Sequence, residues 1–147
     1  MKVINETLHP IKVTVIAQDD SHALAKAREH QIVLNIQKGN SEAGFTAAET
    51  LMAALGTCML TNIQTLRQKM QLQIDDVRIE FGALRKDVPP EVNEINYRLI
   101  LTSSEPEEKL QEMHDLILKW GTVTNTLIKG IKPQGQLVIT RNKEIEK

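Results

Sequence analysis

One long apolar helix constrains this chain more than any other feature. Thr46 is followed three residues later by Glu49. That spacing is a capping box, in which the threonine hydroxyl accepts from the Glu49 amide and the Glu49 side chain reaches back to the Thr46 amide. Leu51, Leu55, Met59, Ile63, Leu66 and Met70 then recur at helical spacing, which predicts a helix over Ala47 to Met70. Between Leu51 and Leu60 it carries almost no charged or strongly polar side chain, so this part is expected to be buried all round. Ala53, Ala54 and Gly56 are small and permit close approach of a sheet or a partner helix. Gln64 to Gln71 turns polar and should emerge into solvent. The few strands that one chain offers cannot cover such a helix on every side. A homodimer is therefore expected.

The remaining segments supply the strands. Ile11 to Ala17 alternates with period two and is rich in β-branched residues, as a strand requires. Asp19 to His22 reads as a turn, and Ala23 to Glu29 fits either helix or strand. Ile32 to Ile36 is a second strand, and Lys38 to Gly44 is a flexible loop. Val77 to Phe81 and Ile95 to Leu101 alternate cleanly around the turn at Asp87 to Glu91, which makes a hairpin. Ser104-Glu-Pro-Glu107 offers a second capping box and an early proline for a second helix. Leu110, Met113, Ile117 and Trp120 form its apolar face. Gly121 interrupts it, and Val123 to Ile128 continue it to Gly130. Gln136 to Thr140 is a last strand. Strand runs adjoin one another more often than a strict βαβ alternation permits, so the fold class is α+β, one domain over residues 1–147.

The totals exclude several functions. With 25% charged residues and a formal net charge of −1, and no basic cluster with interleaved aromatics, nucleic acid is not an expected partner. No stretch approaches the roughly 20 apolar residues of a membrane span, and Met1 to Pro10 lacks the apolar core of a signal peptide. No membrane partner is expected, and the cytoplasm is the expected compartment. One cysteine excludes an internal disulfide and multi-cysteine zinc sites. His9, His22, His30 and His114 show no ligand spacing, so neither metal nor cofactor is expected.

That cysteine, Cys58, lies on nearly the same side of the long helix as Leu51, Ala54 and Leu55. Free cysteines usually serve as small buried hydrophobes. A reactive thiol needs a nearby cation or a helix N-terminus. Cys58 is about three turns into its helix, beyond the reach of the dipole, which fades after the first turn. Any activation has to come from elsewhere in space.

Gly44-Phe-Thr-Ala-Ala-Glu-Thr-Leu-Met-Ala-Ala-Leu-Gly-Thr-Cys58 resembles the signature of the OsmC/Ohr superfamily. Its usual form is a glycine, a Thr/Ser-Pro-x-Glu start, then Leu-Leu-x-Ala-Ala-Leu-Gly-Ser-Cys. A second family motif, Cys-Pro-Val-x-x-Thr-Leu, is matched about sixty residues further on by Gly121-Thr-Val-Thr-Asn-Thr-Leu127. The resemblance covers nearly the whole chain. It implies an intertwined homodimer, with two long helices packed with antiparallel sheets.

In the peroxidase members of that superfamily, the first cysteine attacks an organic hydroperoxide. An arginine stabilises its thiolate, a glutamate orders the arginine, and a second cysteine resolves the sulfenic acid. Carried over, Cys58 occupies the nucleophile position. Gly121 replaces the resolving cysteine, and Thr122 its proline. The glutamate of the Ohr branch corresponds to Ala48, whereas Glu49 matches that of the broader OsmC-like branch. Glu49 lies about 13 Å axially and half a turn from Cys58 on an ideal helix, which favours a capping role over a catalytic one. Arg28 lies in the region where relatives place their arginine, although its neighbours do not match. A solvated surface arginine is the competing reading. Arg85 is a further candidate. His30 reads as surface or pocket lining, and Trp120 as core or pocket wall.

Without a resolving cysteine, a Cys58 sulfenic acid needs an external thiol or a second chain for its repair. Three functions are open. One is a one-cysteine thiol peroxidase acting on organic hydroperoxides, with Cys58, Glu49 and Arg28 as candidate site residues and an external thiol as reductant. Another is a catalytically degenerate protein that binds a small apolar ligand. The third is another thiol chemistry, a hydrolase or a redox sensor.

Overall fold

A computed structural model describes residues 6–137. The elements follow in the order β1 (Thr14–Ala17), β2 (His22–Ala27), β3 (His30–Asn35), α1 (Ala47–Lys69), β4 (Ile74–Asp87), β5 (Pro90–Ser103), α2 (Glu107–Lys119) and α3 (Thr122–Lys129). β1, β2 and β3 form an antiparallel meander, and β4 and β5 a separate long hairpin. The architecture is α+β, as expected.

The capping box at the start of α1 forms. Thr46 N donates to Glu49 Oε1 at 2.9 Å, and Glu49 N donates to Thr46 Oγ1 at 3.2 Å. The helix ends at Met70, after which Gln71 takes φ 53° and turns the chain towards β4. Arg67 Nη2 donates to the Ile74 carbonyl at 2.6 Å and ties that turn to the first strand of the hairpin.

One core holds the body together. Leu55, Met59 and Ile63 of α1 bury against Leu72, Ile74, Met113 and Ile117. Val77, Ile79 and Phe81 of β4, with Ile95, Tyr97, Leu99 and Leu101 of β5, close over it. These hairpin residues alternate along their strands, so one face of the sheet covers the core while Arg78, Glu80 and Arg98 face water. Gly56 is what lets the helix approach: a Cβ there would come 2.9 Å from Phe81 Cε2.

One open reading is resolved and three expectations need correction. His22–Ala27 is a strand, although its alanines favour a helix. Ladder bonds to β1 on one side and β3 on the other override that weak local preference. The second capping box does not form. α2 begins only after Pro106, with no side-chain cap, because a proline disfavours helical geometry at the preceding residue, Glu105. Within one chain the helix from Leu51 to Leu60 is not buried all round: Ala53, Ala54, Thr57 and Leu60 are exposed. Gln136 and Leu137 are not in a strand, and the rest of the expected last strand lies outside the described residues, as do residues 1–5.

The meander differs from the body. Cross-strand partners share a face, so Val15, Ala25 and Ile32 form one apolar row and Ile16, Leu24 and Val33 another on the opposite face. Val15, Ile32 and Val33 are each more than half exposed. Among the described residues no helix is long and apolar enough to cross a membrane.

Candidate functional site

Cys58 is half-buried on α1. It lines an open groove of about 410 Å³ with Ala54, Thr57, Thr61 and Asn62 of the same helix and Thr122 and Val123 of α3. Ala54, Thr61 and Asn62 stand four before, three after and four after Cys58, so helical geometry alone puts them on one wall. α3 supplies the facing wall because Gly121 breaks the second helix and redirects the chain.

The chemistry of this groove is neutral. No charged side chain lines it. Its helix hydroxyls are already engaged: Thr57 Oγ1 donates to the Ala53 carbonyl and Thr61 Oγ1 to the Thr57 carbonyl, both at 2.8 Å. Their lone pairs stay available to accept. Two buried polar atoms near the groove, Asn62 Nδ2 and Thr124 Oγ1, have no hydrogen-bond partner among the described residues.

Gly121 is more than a missing side chain. Its φ of −79° suits any residue, so the backbone does not demand glycine. Space does. A Cβ there would come 2.7 Å from Thr124 Oγ1 and 3.0 Å from the Ile117 carbonyl oxygen. The position that holds a second cysteine in the family pattern is therefore closed by the next turn of α3.

The three candidate site residues are not brought together within one chain. Glu49 is spent in the capping box, where the Thr46 backbone N–H, then the Thr46 hydroxyl, hold its carboxyl below the usual carboxylate range. Arg28 is exposed in the two-residue turn between β2 and β3, at φ 56°. Neither lines the Cys58 groove. Arg85 pairs with Asp87 at 2.6 Å on the far end of the hairpin. His30 is exposed at the start of β3. Trp120 is a groove wall rather than core. It is 66% exposed, has Lys119 Nζ 5.3 Å from its ring centroid, and borders an adjoining groove with Asn62, Thr65 and Leu66.

No sequence motif marks Thr61 and Asn62 as groove residues. Their spacing from Cys58 was the available signal. Thr124 carried none, because its contact with Gly121 depends on where α3 turns.

Comparison with known proteins bears on this geometry. The family model of the OsmC-like protein matches residues 37–134, a span that includes both walls of the Cys58 groove. No curated protein matches the sequence. Among solved structures, an OsmC-like protein from Mycoplasma pneumoniae superposes with a TM-score of 0.75 at 22% identity, covering 84% of this chain and 89% of that one. The organic hydroperoxide resistance protein OhrB of Bacillus subtilis gives 0.58 at 12% identity, over 84% and 94%. An organic hydroperoxide resistance protein OsmC from Legionella pneumophila gives 0.61 at 11%, over 85% and 93%. At these identities the likeness establishes a shared fold.

Proposed function

We propose that this chain, which belongs to the OsmC-like family, is a homodimeric thiol-dependent redox protein whose Cys58 reduces organic hydroperoxides in oxidative stress defence. The observation that carries this reading is the placement of the single thiol. Cys58 stands on the wall of an open groove, where a small molecule can reach it, and not in the dry core formed by Met59 and Ile63.

The cycle uses one cysteine. The Cys58 thiolate attacks the terminal oxygen of ROOH. The O–O bond breaks, the sulfur becomes a sulfenic acid, and the alkoxide leaves as ROH after taking a proton. An external thiol then attacks the sulfenic sulfur, giving a mixed disulfide and water. A second thiol releases Cys58 as the reduced thiol and leaves as the external disulfide. A thiol-rich cytoplasm is the fitting compartment. Gly121 cannot resolve the sulfenic acid, so without external thiol Cys58 over-oxidises.

Activation needs a cation that the groove of one chain does not hold. Arg28, on an exposed turn of the meander, is the proposed donor across the dimer, with Glu49 beside it. Support for the dimer comes from the meander itself. A sheet with apolar rows on both faces has to be covered on both. The exposed Ala53, Ala54 and Leu60 of α1 offer a complementary apolar surface.

Consumption of cumene hydroperoxide by the full chain, with dithiothreitol or a thioredoxin-like reductant, tests the reading. Turnover that disappears in Cys58→Ser is expected, and no turnover with any thiol would overturn it. A second reading rests on the neutral lining of the groove: it binds a small apolar ligand without chemistry. That reading gains if apolar ligands bind equally to wild type and Cys58→Ser while peroxide is not consumed.

A further inference from the structure

A second groove lies apart from Cys58, between β5 and α2. Tyr97, Leu99 and Leu101 alternate along one face of β5. Glu107, Leu110, Gln111 and His114 recur along one face of α2. Together they line an open groove of about 460 Å³. The three leucines make the walls apolar, while Tyr97, His114 and Gln111 are linked by hydrogen bonds and Glu107 stands about two turns away along α2.

Those polar groups form a directed chain. Gln111 Nε2 donates to Asp115 Oδ1 at 3.0 Å. A carboxylate only accepts, so this bond fixes which end of the Gln111 amide carries the hydrogens. The same nitrogen lies 3.3 Å from His114 Nδ1. Nδ1 must then accept, which places the imidazole hydrogen of neutral His114 on Nε2. That nitrogen is 2.6 Å from Tyr97 Oη, so His114 donates to the phenol. Tyr97 therefore keeps its own hydrogen to give, and among the described residues the phenol has no other partner. Burial supports this state, since it holds the phenol above its usual value and keeps it protonated.

We propose that the groove between β5 and α2 is a binding site for a neutral, largely apolar molecule carrying one hydrogen-bond acceptor such as a ketone or ester carbonyl. The Tyr97 hydroxyl is the donor, and Leu99, Leu101 and Leu110 are the walls. The charge around the groove selects against anions. Glu107 lines it, and Glu108, Glu112 and Asp115 continue the acidic surface of α2. A carboxylate or phosphate would meet these charges with no lysine or arginine among the lining residues to balance it. For a carbonyl oxygen, the phenol is the lining donor whose hydrogen is not already engaged. This site does not depend on the chemistry of Cys58, which lines none of it.

Tyr97 is the chain's only tyrosine, so its ring resonances report on this groove without ambiguity. The experiment titrates 2-octanone into the full protein and follows the Tyr97 and His114 signals by NMR, with octanoate and octylamine as charged probes. Saturable shifts with 2-octanone are expected, with weaker or no response to octanoate. Tyr97→Phe should weaken ketone binding by about three- to tenfold, the loss of one net hydrogen bond. A separate measurement needs no ligand: the imidazole nitrogen shifts of His114 should report the Nε2–H tautomer, and Gln111→Leu should release that preference. The proposal is overturned by an Nδ1–H tautomer, by equal ketone binding to Tyr97→Phe, or by a preference for octanoate or octylamine. It is also overturned if the Tyr97 signals respond to protein concentration and not to 2-octanone, which would mean that a second copy fills the groove.

Discussion

The body and the meander are built from similar residues but solve the burial problem differently. In the body, Met59, Ile63, Met113 and Ile117 are essentially inaccessible, and each is covered by elements of the same chain. In the meander only Ala23 and Asn35 are buried at all, while the larger Val15, Ile32 and Val33 are mostly exposed. Antiparallel ladders run through both regions, interrupted in the hairpin only by irregularities at Ile74/Asp76 and Leu84/Arg85. Regular secondary structure is therefore not evidence of a finished core. A region can form a regular ladder and still leave its apolar side chains exposed.

The largest expected effect separates the two regions directly. Ile117→Ala removes a fully buried side chain from the body and should lower unfolding stability by about 2–5 kcal/mol, read from urea denaturation. Val33→Ala in the meander should cost much less when the protein is dilute, because its side chain is already 54% exposed in one chain. Equal losses at every protein concentration would erase the distinction between the regions.

The next effect concerns what covers the meander. Val33→Asp places a charge in the apolar row shared with Ile16 and Leu24. Burying an unpaired charge against a partner is costly, so association should weaken by about 2 kcal/mol or more. Analytical ultracentrifugation should show the proposed dimer shifting to monomer, with the helical signal of the body largely retained. A variant that sediments exactly as the wild type does would assign the apolar rows to something other than a second copy.

The same contrast explains what the sequence could and could not tell. The start of α1 was legible because the capping box is a local device: Thr46 and Glu49 need only each other. The β4–β5 hairpin was legible because Val77, Ile79 and Phe81 alternate against a single core. β2 was not, because an alanine-rich strand owes its form to neighbours on both sides. The box at Ser104 fails because of Pro106, whose effect on Glu105 is itself a local signal. At the candidate site, Cys58 and its groove wall follow from helical spacing. The closure of Gly121 by Thr124, and the meeting of Tyr97 with His114 across 17 residues, depend on how elements pack, which no local pattern encodes.

A smaller effect probes the seam between α2 and α3. Gly121→Ala puts a methyl group against Thr124 Oγ1, a movable side-chain atom, and near the less movable Ile117 carbonyl. A loss of about 1–2 kcal/mol is expected, at the lower end of overpacking costs because the threonine can rotate. Thr124→Ala in the same chain should recover part of it. Full additivity of the two substitutions in a double-mutant cycle would show that the hydroxyl is not what closes the position.

The smallest effect is a pH dependence confined to the start of α1. Glu49 accepts from the Thr46 backbone N–H, and this bond together with the Thr46 hydroxyl depresses its carboxyl in the folded chain. A carboxyl whose folded value lies below its unfolded one binds fewer protons when folded, so stability rises with pH across that interval. Its contribution is fully present above the unfolded value and is lost as the pH falls through the folded one. Because Glu49 is wholly exposed, solvent keeps the effect small. Glu49→Gln keeps an acceptor for the Thr46 amide but removes the titration. Comparing the acid limbs of urea-denaturation midpoints should therefore show a shallower slope for Glu49→Gln, with the two proteins converging at the lowest pH. If Glu49 also serves Cys58, the same variant should slow peroxide consumption at neutral pH, where both proteins are fully folded. A cap alone would leave that rate unchanged, so the pair of measurements separates the two roles that one carboxylate has been assigned.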